Sequence, residues 1–195
     1  MKKTIVIATT NTGKLKEIKE ILPEFNIVSL SDMGIDIDVV EDSETFISNA
    51  VKKATEICAV CNEITLADDS GLEIDFLDKK PGVYSARFLG EDTPYSIKNA
   101  HILSLLPQDM SQRTARFVCA ICVAVPNNGE IETITAQETF EGVIAYEPKG
   151  DNGFGYDPIF YVPEYNMTSA EMPPELKNKL SHRGKAIKKI RDYLL

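Results

Sequence analysis

Residues 117–125 read FVCAICVAV, nine positions without a single charge. The run is β-branched and aromatic, and it is short enough to be a strand rather than a helix. Such a strand must be covered on both faces. It is expected to be the most buried strand of the chain. What covers it is legible in the first half of the sequence, where strand and helix patterns alternate. Thr4–Ala8 is a short apolar run, and Leu15, Ile18, Ile21 and Leu22 form a helical stripe that Pro23 ends. Ile27–Leu30 predicts a second strand. Phe46, Ala50, Ala54, Ile57 and Cys61 repeat at helical spacing over Thr45–Cys61. After Leu66-Ala67 comes Asp68-Asp69-Ser70-Gly71, expected as a loop at a strand end. Leu72, Ile74 and Phe76 then alternate with acids, as in a half-buried strand.

Thr93-Pro94 predicts a helix start, with Thr as cap and Pro at the first helical position, running to about Leu106. Asn127-Asn128-Gly129 marks a hairpin, with Ile131–Phe140 as the returning strand. IFYV at 159–162 predicts another strand, and a last helix carries Ile187, Ile190 and Leu194 on one face. The expected fold is α/β: one domain over 1–195, with an elongated, mixed, twisted sheet flanked by helices. Two lobes with a cleft between them are expected.

At 195 residues the chain is long enough to bury a core without staples. It carries 21 basic and 30 acidic side chains, a formal charge of −9. Duplex nucleic acid is therefore not an expected partner, since phosphate neutralisation supplies most of that affinity. No apolar run reaches the roughly 20 residues that span a bilayer, and MKKTIVIATT turns polar too early for a secretory leader. A cytoplasmic protein without membrane contact is expected. The cysteines form two C-x-x-C pairs, Cys58/Cys61 and Cys119/Cys122. Spacing alone invites zinc. On a strand, however, residues three apart face opposite ways, so Cys119 and Cys122 are poorly placed to share one ion. Four small buried hydrophobes in a reducing compartment is the expectation.

Four constellations carry chemistry. The junction Thr9-Thr10-Asn11-Thr12-Gly13-Lys14 leads into a helix N-terminus, where unpaired N–H groups and the helix dipole favour phosphate. It lacks the full G-x-x-x-x-G-K-[ST] pattern. Asp68-Asp69 offers adjacent hard oxygen ligands suited to Mg²⁺, and Glu41, Asp42 and Glu44 form a second acidic group. In GDNGFGYDP at 150–158, two glycines flank Phe154, whose ring is then presented to a flat ligand; Asp157 is placed to accept N–H bonds from a base. Lys177 with Ser181-His182-Arg183, at the start of the final helix, adds donors. Together these describe a nucleoside triphosphate site. A kinase would need a fuller phosphate loop and an acceptor pocket. A nucleotide sensor would need no metal carboxylates, and a zinc module would rest on the cysteines.

TTNTGK at 9–14, FISNA at 46–50, ADDSGLEID at 67–75, PGVYSARF at 81–88, GFGYDPIF at 153–160 and KNKLSHRGKA at 177–186 resemble the inosine triphosphate pyrophosphatase family. The resemblance covers nearly the whole chain. It implies a Mg²⁺-dependent homodimer that hydrolyses ITP, dITP and XTP to the monophosphate and pyrophosphate. It implies that Thr9, Thr10, Asn11, Thr12, Gly13, Lys14, Ser70 and Lys177 contact the phosphates. Glu41 and Asp69 would hold metal, with Asp69 the general base and Asp68 beside it as a catalytic partner. Phe154, Gly155, Tyr156, Asp157, His182 and Arg183 would hold the base. Two positions depart from the family pattern: Thr10 stands where Gly is more frequent, and Ser48 where Glu is usual.

Overall fold

In the computed structural model, which describes residues 2–194, strands and helices alternate along most of the chain. They are β1 (Thr4–Ile7), α1 (Thr12–Ile21), β2 (Asn26–Ser29), α2 (Phe46–Cys61), β3 (Thr65–Ile74), α3 (Tyr95–Leu105), β4 (Thr114–Asn127), β5 (Glu130–Ile144), β6 (Phe160–Val162), β7 (Met167–Thr168), α4 (Pro174–Leu180) and α5 (His182–Leu194). The strands form a seven-stranded sheet in the order β2-β1-β3-β4-β5-β6-β7. β1 lies parallel to β2 and β3, with Ile5 opposite Ile27 and Val6 opposite Thr65. β5, β6 and β7 are antiparallel. The sheet is therefore mixed and the fold α/β, as expected.

Local chemistry sets the element ends. Asn11 caps α1 by accepting the Lys14 N–H at 3.0 Å. Thr45 caps α2 by accepting from the Ser48 N–H at 3.2 Å, and Asn62 in the left-handed region (φ 53°) stops that helix. Asn128 and Gly129 both take positive φ, as a type I′ turn requires, and close the β4–β5 hairpin. One expected start differs. Pro94, not Thr93, flanks α3, and the Thr93 hydroxyl donates back to the Leu89 carbonyl. Phe76 also departs from the strand pattern: a 3₁₀ turn at Asp75–Leu77 leaves it exposed.

Two compact units divide the chain. One comprises Met1–Asp69, Cys119–Glu138 and Arg183–Leu195. Its core holds Ile5, Ile7, Ile18, Leu22, Leu66, Ile121, Val123, Ile187 and Ile190. The other comprises Ser70–Val118 and Thr139–His182, with Leu72, Ile74, Ile102, Phe117, Phe140, Ile159, Phe160 and Met172 at its centre. Each fully buried aliphatic or aromatic side chain stabilises its core by about 1.5–3 kcal/mol.

The thiols of Cys58, Cys119 and Cys122 are buried, and that of Cys61 is half-buried. Burial pushes the Cys122 thiol up to about 12, so it stays protonated and packs as a small hydrophobe. Cys122→Ala is expected to lower unfolding free energy by about 1 kcal/mol or somewhat more. Urea titration monitored by circular dichroism checks this; an unchanged midpoint would mean the thiol fills no space that matters.

Candidate active site

The two adjacent aspartates sit in the middle of β3, not in a loop. Asp, Ser and Gly suggest a turn by composition, but β1 and β4 flank this strand on either side and extend it through them. The side-chain period of two sends Asp68 and Asp69 to opposite faces of the sheet. They are therefore separate groups with separate surroundings.

Asp68 is fully buried. Its Oδ1 meets Lys14 Nζ at 2.7 Å, and its Oδ2 accepts from Arg183 Nε at 2.8 Å. The Cys119 thiol donates to the same Oδ2 at 3.1 Å. Burial opposes ionisation here, but Arg183 and Lys14 outweigh it and hold the carboxyl well below the usual carboxylate range. A carboxylate so gripped is a poor base. Burial and this carboxylate push the Cys119 thiol well above its ordinary value, so Cys119 is a hydrogen-bond donor to a carboxylate and more than packing. Arg183 also forms an ion pair with Glu17 of α1.

Asp69 is also buried, but it is under-compensated. Its Oδ2 accepts from Asn49 Nδ2 at 3.0 Å, and its carboxyl shares a hydrogen bond with Glu41. Burial pushes the Asp69 pKa up to about 6; Lys53 and Lys14 pull it down, and the nearby Glu41 carboxylate pushes it up. Burial raises the Glu41 pKa too, yet Lys53, 2.6 Å from Glu41 Oε1, brings it below the ordinary range. Lys53 Nζ donates as well to the Asp68 main-chain carbonyl at 2.8 Å, and Lys14 Nζ to the same carbonyl at 3.2 Å. Two ammonium groups thus converge on the peptide that joins the two aspartates. Thr9, Thr10, Asp38, Glu41 and Lys53 are among the residues lining a cavity of about 60 Å³. Thr12 and Gly13 already belong to the first turn of α1, so Gly13 is a helical residue rather than a loop glycine.

Asn49, Lys53 and Glu17 escaped the sequence reading. Asn49 and Lys53 are four apart and lie among the apolar stripe of α2, both buried. Polar residues within a buried stripe are the signal that would have found them. Glu17 is likewise a buried acid beside Ile18 on α1.

The second unit holds the remaining candidates. Asp157 is buried and turned onto its own loop. Its Oδ2 accepts the Phe154 N–H at 2.8 Å and Lys177 Nζ at 2.6 Å, and its Oδ1 accepts the Ser169 hydroxyl at 2.8 Å. In this structure the carboxylate organises its loop. Gly153 takes φ 75°, and a Cβ there would fall 2.1 Å from Asp157 Oδ2, so only glycine allows this closure. Phe154 is half-buried, with Lys177 Nζ 5.3 Å from its ring centre. Tyr156 is buried and donates to the Ser85 carbonyl at 2.7 Å. Ser70 is half-buried on β3.

Lys177 lies on α4, separated from α5 by extended backbone at Ser181, so it does not begin the last helix as expected. His182 and Arg183 are buried. The His182 imidazole stacks on Phe117 with ring centres 4.9 Å apart and planes 16° from parallel. Among the described residues, no three histidine, cysteine, aspartate or glutamate side chains gather into a metal-binding group. No helix among them is long and apolar enough to cross a membrane.

Comparison with known proteins places this geometry in context. Residues 5–193 match the model of the Ham1 family. A dITP/XTP pyrophosphatase of Desulforamulus reducens is 51% identical, the match covering 97% of this chain and 94% of that protein. One of Bacillus subtilis is 46% identical, covering 98% and 97%. The solved Ham1 protein of Staphylococcus aureus superposes with a TM-score of 0.85 at 40% identity, covering 98% of each chain.

Proposed function

We propose, since this chain belongs to the Ham1 family, that it hydrolyses non-canonical purine nucleoside triphosphates (ITP, dITP and XTP) to the nucleoside monophosphate and pyrophosphate. The observation that carries this reading is the buried Asp69 carboxyl, raised to about 6 and set beside Glu41, Asn49 and the converging ammonium groups of Lys14 and Lys53. Its pKa lies near the operating pH, where a general base works best. Asp69 takes the proton of a water that attacks the α-phosphorus, and pyrophosphate leaves. Lys14 and Lys53 meet the negative charge that grows on the phosphate oxygens. Thr9–Gly13, Ser70 and Lys177 complete the phosphate contacts; Phe154–Tyr156, His182 and Arg183 hold the base, with Asp157 shaping their loop.

The residues present fit a magnesium ion. Half-buried Glu41 and buried Asp69 are hydrogen-bonded carboxyls, and Asp69 keeps its proton to about pH 6. A cation between them would replace that proton. Hard carboxylate oxygens suit Mg²⁺, which fills its other positions with water and phosphate oxygens. When bound, Mg²⁺ neutralises charge on the triphosphate. A single catalytic domain over 1–195, a homodimer, a cytoplasmic location, and no stable binding to nucleic acid or membrane belong to the same proposal.

Incubating the protein and Mg²⁺ with ITP, dITP, XTP, GTP and ATP, and separating products by ion exchange, tests it. Pyrophosphate in amounts equal to the monophosphate is expected from ITP, dITP and XTP. Arg183 has donors only, so it meets a 6-oxo purine as donor to acceptor and adenine as donor to donor. ATP turnover should be lower by several orders of magnitude, of order 10⁴ at most. Orthophosphate and a diphosphate as products, or equal rates on all five, would overturn the proposal.

A further inference from the structure

In the second unit, Phe154 sits between two glycines in left-handed backbone, Gly153 at φ 75° and Gly155 at φ 67°. Glycine lets the chain turn on either side of the ring, so contacts beyond the local backbone must set where the ring points. On the amino side, Asp157 Oδ2 accepts the Phe154 N–H at 2.8 Å. On the carboxyl side, Asn99 of α3 donates from Nδ2 to the Gly155 carbonyl at 3.2 Å. Tyr95 stands one turn earlier on the same face of α3. Its ring meets the Tyr156 ring edge-on, with centres 5.1 Å apart, and a Cβ on Gly155 would stand 3.5 Å from it. One face of α3 thus backs the two residues that follow Phe154. Asn99 is buried, and its Oδ1 has no hydrogen-bond donor among the described residues. A buried amide with an unpartnered oxygen is a poor device for stability. What it offers over an apolar side chain of the same size is one donor, and the loop receives it.

We infer that Asn99 is a positioning residue for base stacking: its amide holds the Gly155 carbonyl and so fixes the direction of the Phe154 ring. The inference rests on the proposed role of Phe154 in holding the base. Without the Asn99 donor, the Gly155 peptide can turn, and the ring no longer waits in the plane that the base needs. Stacking acts on the bound substrate and on the transition state alike, because the base takes no part in the bond changes at phosphorus. Loss of such uniform binding raises KM and leaves kcat in place. Stacking also does not read the edge of the base, since every base has a π-face. The loss therefore falls equally on substrates that differ only in their base.

The test measures kcat and KM for ITP and XTP, with Mg²⁺, in the wild type, Asn99→Leu, Phe154→Ala and the double variant. Leu matches Asn in shape but has no donor. Phe154→Ala should raise KM about 5- to 100-fold, the usual worth of one stacked base. Asn99→Leu should raise KM about 3- to 10-fold on both substrates, within that range because the ring is misplaced rather than removed. Its kcat should stay within about threefold of the wild type, and its urea midpoint should not fall. In the double variant KM should lie within about twofold of Phe154→Ala alone, because Asn99 acts only through the ring. Full multiplication of the two effects would overturn the role of Asn99 and leave that of Phe154 standing. So would an unchanged KM in Asn99→Leu, or a rise on one base only. An unchanged KM in Phe154→Ala would remove Phe154 from base binding, and the inference falls with it. Should Asn99→Leu not fold, Asn99→Ala is measured alone and with Phe154→Ala, and the same outcomes decide.

Discussion

Replacing Asp69 by Asn should lower kcat by roughly 10²–10⁴, the usual contribution of a positioned general base. The amide keeps the shape of the side chain and its neighbour Asn49, but it can neither take a proton nor carry charge. The same substitution should stabilise the metal-free protein at neutral pH. Burial and Glu41 raise the Asp69 pKa from 3.8 to about 6. An acid whose folded pKa lies above its unfolded value binds its proton more tightly when folded. The fold therefore loses stability as pH rises from about 4 through about 6, and the deficit stays constant above that. About two pKa units correspond to about 2–3 kcal/mol. In the presence of a chelator, Asp69→Asn should resist urea better than the wild type at pH 8, and the two should converge near pH 4.5. Turnover within tenfold of wild type would remove Asp69 as the base. Lower stability of the variant at pH 8 would mean that Lys53 and Lys14 fully compensate the carboxylate.

The neighbouring substitution, Asp68→Asn, should do the opposite to stability. Asp68 is the anion between Lys14 and Arg183, and it also accepts the Cys119 thiol. Removing its charge leaves two buried or nearly buried cations without the anion that pairs with both of them. Breaking a buried pair from one side typically costs about 3–5 kcal/mol, which is a large share of the roughly 5–15 kcal/mol that holds a domain together. The pH dependence carries the matching sign. The folded pKa of Asp68 is depressed well below 3.8, so its contribution is fully present above about pH 4 and is lost as pH falls below that toward the folded value. Urea unfolding at pH 7 should show the loss directly, and the gap between wild type and variant should narrow below pH 4. A cost under about 1 kcal/mol would mean that Lys14 and Arg183 find other anions, and the anchoring role of Asp68 would be withdrawn.

These two predictions separate residues that stand side by side in the sequence, and they show where sequence reasoning stops. ADDSG suggests two equivalent carboxylates in a solvated turn. Strand pairing places them in β3, and the two-residue period gives each its own face. One face supplies Arg183, Lys14 and Cys119; the other supplies Glu41, Asn49 and a shared ammonium. No local rule reports which distant side chains arrive on which face. Glu17 and Arg183 lie 166 residues apart, and Cys119 reaches Asp68 across 51. The same holds for Asp157. Its place before Pro158 suggests an outward acceptor, but Gly153 opens the space into which its carboxylate folds.

What the sequence determined by itself is the architecture and the family. FVCAICVAV requires a strand covered on both faces, the helical stripes of α1, α2 and α5 supply apolar faces, and Asn128-Gly129 supplies the hairpin. Caps, periodicity and turn chemistry act over a few residues, so they are written in the order of the chain. Tertiary structure alone decided the charge states of Asp68 and Asp69. A carboxylate's pKa depends on what removes its water and which charges replace it, and both come from residues distant in sequence. The Asp68 carboxyl is held well below the usual carboxylate range and that of Asp69 is raised to about 6 for that reason. Their own covalent chemistry is identical, and only the two faces of the sheet tell them apart.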